Sequence, residues 1–151
     1  MATAGFPIAN HTYNHRALGG RCYDSQVAEL LHNERVIADL GFTLLPVMRP
    51  PYEDYDDATL SAAAYAGESH VVLWDVDTLD WTGLGRRAIA ASALSGRSGS
   101  IVLMHTSNPS TAAALPRIIR SYRKRGFTFV TIGQLFGIPG AVPFPSPPTA
   151  R

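Results

Sequence analysis

The sequence predicts an α/β fold built on a mostly parallel sheet. Short apolar segments alternate with helix-like segments along the 151 residues, which is the pattern of βαβ units. Two of the apolar segments, residues 70–74 and 100–104, are continuous, as is typical of strands covered on both faces. The length also limits the architecture, because a complete eight-stranded α/β barrel needs about 200–250 residues.

The composition excludes several classes of protein. Thirteen basic and twelve acidic residues give a net charge of +1, so nothing indicates a nucleic-acid or anionic-membrane partner. The single cysteine, Cys22, allows neither an intrachain disulfide bond nor a cysteine-based zinc site. No apolar run approaches the ~20 residues of a membrane span. The first residues lack the basic and apolar regions of a signal peptide.

Helices are predicted where apolar residues recur with helical spacing and a capping residue comes first. Each has a candidate N-cap or a glycine where it ends, and the predicted helices span residues 24–40 (cap Asp24 or Ser25), 58–66 (cap Asp56 or Asp57), 84–94, 110–125 (cap Ser110 or Thr111) and 132–136 (cap Thr131). Strands are predicted at residues 42–48, 70–74, 100–104 and 127–130, with a fifth near residues 6–9. A domain over residues 1–138 and a Pro-rich tail over 139–151 follow.

Unusual polar residues follow the predicted strands, where parallel α/β folds place their sites. His11 and His15 are spaced so that two imidazoles can bind one metal ion, although an isolated pair of this kind is more often a surface feature. In the Arg49-Pro50-Pro51-Tyr52 segment, two prolines stiffen the chain so that the arginine and the Tyr52 N–H can be aimed. An ordinary proline-rich loop is the alternative.

Two further groups follow later strands. Residues 74–81 hold three acids and both tryptophans of the chain, which packing alone does not explain. Asp75 or Asp77 can cap the following loop, whereas Asp80 beside Trp81 is suited to orienting a histidine. His105 emerges directly from a buried strand, the position of a general acid or base, with a structural core histidine as the alternative.

The order of these groups is more specific than any one of them. His-Thr-x-x-His, Arg-Pro-Pro-Tyr, Asp-x-Asp-x-x-Asp-Trp and Leu-Met-His succeed one another between about Gly5 and Phe136. This order resembles motifs two to five of the polysaccharide deacetylases, the NodB-homology domain of carbohydrate esterase family 4. The resemblance implies an α/β fold that is an incomplete deformed (β/α) barrel with mostly parallel strands. It also implies metal-dependent removal of acetyl groups from sugars.

The resemblance implies roles for particular residues. His11 and His15 would bind a divalent metal, most often zinc, and Arg49 would orient the catalytic base. The Tyr52 N–H would help to hold the oxyanion. His105 would be the general acid, and Asp80 would pair with it. Trp81 and Leu103 would form the walls of the acetyl pocket. These roles fit the chemistry, since metal and N–H groups stabilise an oxyanion and a carboxylate neighbour favours the imidazolium.

The family's first motif, Thr-Phe-Asp-Asp-Gly, does not occur in this sequence. The resemblance assigns the catalytic base and the third metal ligand to it, so we expect weak metal binding and little or no turnover by this chain alone. The N-terminal strand or strands of the barrel are also expected to be missing, which would expose sheet edges to self-association. A misplaced start, a gene remnant and a partner chain that supplies the missing part remain three open explanations.

The leading interpretation is a polysaccharide deacetylase domain acting on N-acetyl sugars of the peptidoglycan or chitin type, or on O-acetylated polysaccharide. The alternative is a non-catalytic glycan-binding or remnant domain of the same fold. An unrelated metal-binding α/β protein is disfavoured by four ordered motifs. The resemblance further implies a location outside the cell or in its envelope, and it does not distinguish the glycans.

Overall fold

The computed structural model describes residues 4–139, and the chain divides into two compact units. The first unit comprises the chain up to Leu73 and the segment from Val130 onward, and the second spans Trp74–Phe129. In chain order, the elements are β1 (Ala9–Asn10), α1 (Tyr23–Asp39), β2 (Leu45–Met48), α2 (Asp57–Tyr65), β3 (His70–Val71), β4 (Val76–Asp77), α3 (Arg86–Ala93), β5 (Val102–Leu103), α4 (Pro109–Lys124) and α5 (Ile132–Leu135). The predicted tail lies outside the described residues, apart from Pro139.

The first unit contains a three-stranded parallel sheet in the order β1–β2–β3. Helices α1 and α2 make the connections between its strands, so β1 and β2 are each followed by a helix that returns the chain to the start of the next strand. Leu30 of α1 and Met48 of β2 are fully buried in its core, together with Leu18 and the small residues of α2. The alanine-rich face of α2 lets this helix pack closely into the core, because alanine side chains add little bulk between its backbone and the neighbouring residues.

The second unit contains a two-stranded parallel sheet, β4 and β5, with Val76 opposite Val102 and Asp77 opposite Leu103. Helices α3 and α4 pack around Ile89, Ile118 and Tyr122, all of which are buried. Every strand pairing is parallel, which confirms the predicted α/β class with parallel strands. Among residues 4–139, no helix combines the length and the apolar character needed to cross a bilayer.

Several predicted strands are wrong in extent. The predicted strand at residues 127–130 is absent, and the predicted strand at 70–74 is reduced to His70–Val71. The strand predicted at residues 42–48 begins only at Leu45, and the strand predicted near residues 6–9 is observed at Ala9–Asn10. A strand that was not predicted, Val76–Asp77, lies inside the acidic segment, because Val76 pairs with a neighbour that is distant in sequence.

The helix caps are predicted with mixed success. Asp56 caps α2 in a reciprocal box with Thr59, and Thr131 caps α5 in the same way with Gln134, both as predicted. The predicted caps of α1 are wrong, because Cys22 takes this position and makes no side-chain capping bond. The predicted caps of α4 are also wrong, since Asn108 accepts the hydrogen bond from the Ser110 N–H.

Candidate functional site

The first unit brings two of the predicted metal ligands together directly after β1. The Nε2 atoms of His11 and His15 lie 3.1 Å apart, and the rings meet edge to face with centroids at 4.7 Å. Two imidazole nitrogens that share a tetrahedral zinc ion lie about 3.3 Å apart, since each Zn–N bond is about 2.0–2.1 Å. The spacing of the two Nε2 atoms therefore fits a shared metal ion.

The contacts of His11 fix which of its ring nitrogens can bind a metal. Its Nδ1–H donates to the Arg49 main-chain carbonyl at 2.6 Å, because a carbonyl can only accept. The lone pair of the neutral ring then lies on Nε2, and the Arg49 guanidinium lies 3.5 Å from that atom. Metal-binding histidines usually donate their other ring N–H to a carbonyl or carboxylate in this way. Burial lowers the pKa of the Arg49 guanidinium, which keeps its charge at any physiological pH.

The turn that carries the two histidines uses strained backbone. Thr12 has a φ of 64° and His15 a φ of 53°, in the left-handed region that residues other than glycine rarely adopt. The Thr12 hydroxyl accepts from the His15 N–H at 3.1 Å and closes the turn. Without this turn the two rings would not face each other, so the conformation serves the pairing of the imidazoles.

The Arg-Pro-Pro-Tyr segment follows β2 and forms the 3₁₀ helix Pro51–Glu53. Tyr52 has a φ of 59° and its side chain is 70% exposed, with the hydroxyl 3.2 Å from His15 Nδ1. The oxyanion role of the Tyr52 backbone N–H stays a prediction.

Two carboxylates anchor the chain directly after Tyr52 and Glu53. Asp54 accepts from the Gly19 N–H at 3.0 Å, and Asp56 accepts from the Gly20 N–H at 2.8 Å. Hydrogen bonds from Gly20 and Thr59 lower the pKa of Asp56 to about 2. A Cβ at Gly19 would lie 2.6 Å from an Asp54 oxygen, so a larger residue at this position would displace the Asp54 carboxylate. The segment containing Tyr52 is therefore held at its C-terminal end by charged hydrogen bonds.

The second unit brings His105 and Asp80 together, as predicted. The His105 ring Nδ1 lies 2.7 Å from Asp80 Oδ1, and the His105 backbone N–H donates to Oδ2 at 2.7 Å. Asp80 is fully buried, whereas the His105 side chain is 39% exposed. Burial acts to raise the pKa of Asp80, but hydrogen bonds from His105 and Thr111 outweigh it and hold that pKa below its usual value. The ionised carboxylate orients the ring and leaves Nε2 for proton transfer.

Two residues that bind Asp80, Thr111 and Asn108, and one that binds Leu103, Thr78, were not predicted for the site. Thr111 donates its hydroxyl to Asp80 Oδ2, and Asn108 donates its side-chain N–H to the Asp80 carbonyl. Thr78 is fully buried and donates to the Leu103 carbonyl at 2.8 Å. The Asn-Pro sequence at the start of α4 is a cap signal that could have identified Asn108, because proline is favoured at the first helical position.

The two predicted wall residues differ in exposure. Trp81 lies in the 3₁₀ helix Asp80–Thr82 and is 65% exposed, whereas Leu103 in β5 is 6% exposed. Leu79, directly before Asp80, has a φ of 52°. Asp77 accepts from the Leu79 N–H, as predicted for an acid that caps this loop.

The described residues bring together only two of the side chains that a metal site would need. Within the described part of the chain, no group of three histidine, cysteine, aspartate or glutamate side chains is placed to hold a metal ion. His11 and His15 thus fit two positions of a metal site, and a third protein ligand is not among residues 4–139.

Comparison with known proteins places these features in a family context. The sequence profile described as polysaccharide deacetylase matches residues 1–71. The chain is 33% identical over 120 residues to a bifunctional xylanase/xylan deacetylase of Cellvibrio japonicus, covering 79% of this chain and 18% of that protein. It is 31% identical over 144 residues to a peptidoglycan-N-acetylglucosamine deacetylase of Bacillus cereus, covering 90% of this chain and 51% of that protein. The chain therefore spans between 18% and 51% of the length of these relatives.

A solved structure extends the similarity to the fold. A family 4 carbohydrate esterase from Streptomyces lividans, in complex with acetate, matches with a TM-score of 0.82 and 30% sequence identity. The match covers 87% of this chain and 68% of that one.

Proposed function

We propose, because this chain belongs to the polysaccharide deacetylase family (carbohydrate esterase family 4), that it acts as a metal-dependent hydrolase domain that removes acetyl groups from sugars. The relatives named above act on peptidoglycan N-acetylglucosamine and on xylan. These names support two substrate classes, N-acetyl sugars and O-acetylated polysaccharide. Both glycans occur outside the cytoplasm, which supports an extracellular or cell-envelope location.

The observation that carries the proposal is the Asp80–His105 pair, in which the carboxylate is fully buried and the imidazole is partly exposed. An amine or alkoxide leaves a tetrahedral intermediate readily only when it is protonated, so an acid is needed on the leaving-group side. His105 can supply that proton from Nε2, because its Nδ1 is held by Asp80 at 2.7 Å. Thr111 and the His105 backbone N–H keep the carboxylate ionised and fixed.

The first unit supplies the groups that act on the acetyl carbonyl. A divalent ion such as zinc, held by His11 and His15, would polarise the carbonyl and lower the pKa of a bound water. The family resemblance gives the Tyr52 N–H the role of an oxyanion donor, and Arg49 would orient a catalytic base where one is supplied. In the second unit, taken by itself, the resemblance makes exposed Trp81 and buried Leu103 wall residues for an acetyl group.

This sequence contains no Thr-Phe-Asp-Asp-Gly motif, to which the family resemblance assigns the base and the third metal ligand. We therefore expect the chain by itself to bind acetylated glycans and to hydrolyse them slowly or not at all. A non-catalytic glycan-binding domain of the same fold is the alternative, and the test below separates the two.

The test measures binding and turnover on the same protein. Acetylated chito-oligosaccharides and acetylxylan are titrated into the chain with Zn²⁺, and acetate release is followed in parallel. We expect binding that Trp81→Ala weakens roughly tenfold, since an aromatic anchor in a site is worth about 1–3 kcal/mol. Tyr65→Ala is the matched control, because Tyr65 is 68% exposed on α2 and belongs to none of the site motifs.

The outcomes are distinct. Slow acetate release that both His11→Ala and His105→Ala abolish supports the hydrolase, and rapid release would contradict the expected weak activity of this chain. Binding without release favours the non-catalytic alternative for the chain as given. The proposed function is wrong if neither glycan binds or if Trp81→Ala and Tyr65→Ala have equal effects.

A further inference from the structure

The turn that carries His11 and His15 satisfies its backbone donors in an unusual way. The N–H groups of four consecutive residues are all bonded, yet none makes a helical or sheet hydrogen bond. Their acceptors are Asn10 Oδ1 for Thr12, the Glu29 carbonyl for Tyr13, Glu29 Oε2 for Asn14, and Thr12 Oγ1 for His15. One helical residue therefore provides two of the four acceptors.

Glu29 makes its contacts from the inner face of α1. Its carboxylate accepts two hydrogen bonds from Asn14. The backbone N–H donates to Oε2 and the side-chain N–H donates to Oε1, each at 2.7 Å. Its carbonyl accepts from the Tyr13 N–H at 3.1 Å. Glu29 is 8% exposed, so water competes little for these bonds.

A second anchor lies at the start of the same turn. Asn10 is 1% exposed, and its Oδ1 accepts from Thr12 and from Asn33 of α1. Its side-chain N–H donates to the Leu30 carbonyl at 3.2 Å. The turn is therefore held to α1 at both ends, through Asn10 at its start and Glu29 at its end.

We propose that Glu29 is a positioning residue that presets the His11–His15 pair for a metal ion. This inference rests on the proposed function, because it requires the two histidines to bind the ion. Thr12 and His15 occupy left-handed backbone, which costs energy that the surrounding contacts must supply. Glu29 acts on the two histidines through Asn14 and Tyr13, from whose backbone N–H groups it accepts hydrogen bonds. When its bonds are lost, the strained turn relaxes and the two Nε2 atoms separate.

The test compares Glu29→Gln and Glu29→Ala with wild type in zinc titrations by calorimetry. Glutamine keeps one acceptor for the Asn14 N–H and loses the other, whereas alanine loses both. Changes in groups that orient metal ligands usually weaken metal affinity about 10–100-fold. We expect wild type to bind Zn²⁺ most tightly, Glu29→Gln to bind less tightly, and Glu29→Ala to bind about tenfold or more weakly than wild type.

The control variant is Asp39→Asn, which removes one negative charge from the exposed last turn of the same helix. We expect it to bind Zn²⁺ as wild type does, which separates positioning from a general charge effect. Circular dichroism and thermal melting check that each variant is folded. In the metal-free protein, the long-range ¹H–¹⁵N spectrum of the imidazoles should show a single His11 tautomer in wild type and exchange broadening of His15 in Glu29→Ala.

Failure of the inference differs from failure of the proposed function. If Zn²⁺ does not bind wild type, or binds equally to His11→Ala and His15→Ala, the metal site is wrong and the inference falls with it. If wild type binds through both histidines and a folded Glu29→Ala binds as tightly, the inference alone is wrong. Equal weakening by Asp39→Asn would also overturn it.

Discussion

At the level of single residues, backbone strain marks the candidate site. Among residues 4–139, every residue other than glycine with a positive φ lies in a site motif or directly beside a residue of one: Thr12, His15, Tyr52, Glu53 and Leu79. Each such conformation costs of order 1–3 kcal/mol and persists only where neighbouring contacts impose it. The strain is invisible in the sequence, because threonine, tyrosine and leucine give no signal of left-handed backbone.

A buried carboxyl outside the site is expected to make stability depend on pH. Glu68 is 7% exposed, and burial, with a smaller contribution from Glu34, raises its pKa to about 7. The Asn10 amide acts in the opposite direction, yet neither Glu68 oxygen has a well-formed hydrogen bond. An unfolded glutamate titrates near pH 4.5. Between these two values the folded protein binds a proton that the unfolded chain has released, so stability falls as the pH rises.

We predict that Glu68→Gln removes this dependence. Relative to wild type, the free energy of unfolding of the variant should rise by about 3 kcal/mol between pH 4 and pH 8, because each pKa unit is worth about 1.4 kcal/mol. Urea unfolding at both pH values measures the change. Glu34→Gln should show a smaller change in the same direction, and parallel pH profiles for wild type and Glu68→Gln would contradict the prediction.

At the level of elements, the helices follow local signals more closely than the strands do. The helices begin and end within two residues of their predicted bounds, and α2 and α5 have the predicted caps. The strands are shorter than predicted, because strand pairing depends on neighbours that are distant in sequence. The segment 127–130 shows this, since Phe127 and Phe129 instead pack against the second core without pairing in a sheet.

The cap of α4 has two separable contributions to stability. Asn108 caps the helix through its side-chain oxygen and supports Asp80 through its side-chain N–H. We expect Asn108→Ala to lower the free energy of unfolding by about 1–3 kcal/mol, since it removes a cap and a partly buried hydrogen bond.

Asn108→Ser isolates the second contribution. Serine keeps a cap oxygen and loses the bond to the Asp80 carbonyl, so it should be less destabilising than Asn108→Ala. Chemical denaturation of the three proteins measures the order. Equal stability of wild type and Asn108→Ala would show that neither bond contributes.

At the level of the whole molecule, each unit has its own apolar core, and this determines which substitutions are costly. Leu30 is fully buried in the first core, whereas Leu60 of α2 is 44% exposed. We expect Leu30→Ala to lower the free energy of unfolding by about 2–5 kcal/mol, and Leu60→Ala to change it by less than about 1 kcal/mol. Thermal melting of both variants checks this, and equal losses would contradict the burial of Leu30.

Self-association through sheet edges stays a prediction. The outer strands of the first sheet, β1 and β3, are each two residues long, and short edges offer few unpaired groups to another chain. Sedimentation of the purified chain over a range of concentrations measures whether copies associate.

The sequence by itself determined the α/β class, the parallel strands, most helix positions and the order of the four motifs. These follow from local periodicity, from capping chemistry and from residues that succeed one another along the chain. It also indicated His11 with His15 and Asp80 with His105 as pairs, and the structure brings each pair within hydrogen-bond distance. Their chemical roles remain proposals.

Tertiary structure alone decided how those side chains are held. Glu29 and Asn10 hold the histidine turn, and Thr111 holds Asp80, through contacts between residues that are distant in sequence. No local pattern marks a glutamate on an amphipathic helix as the acceptor for a turn fifteen residues earlier. The reason is physical, because a buried donor is satisfied by whichever acceptor the packed chain brings to it, and packing is a property of the whole fold.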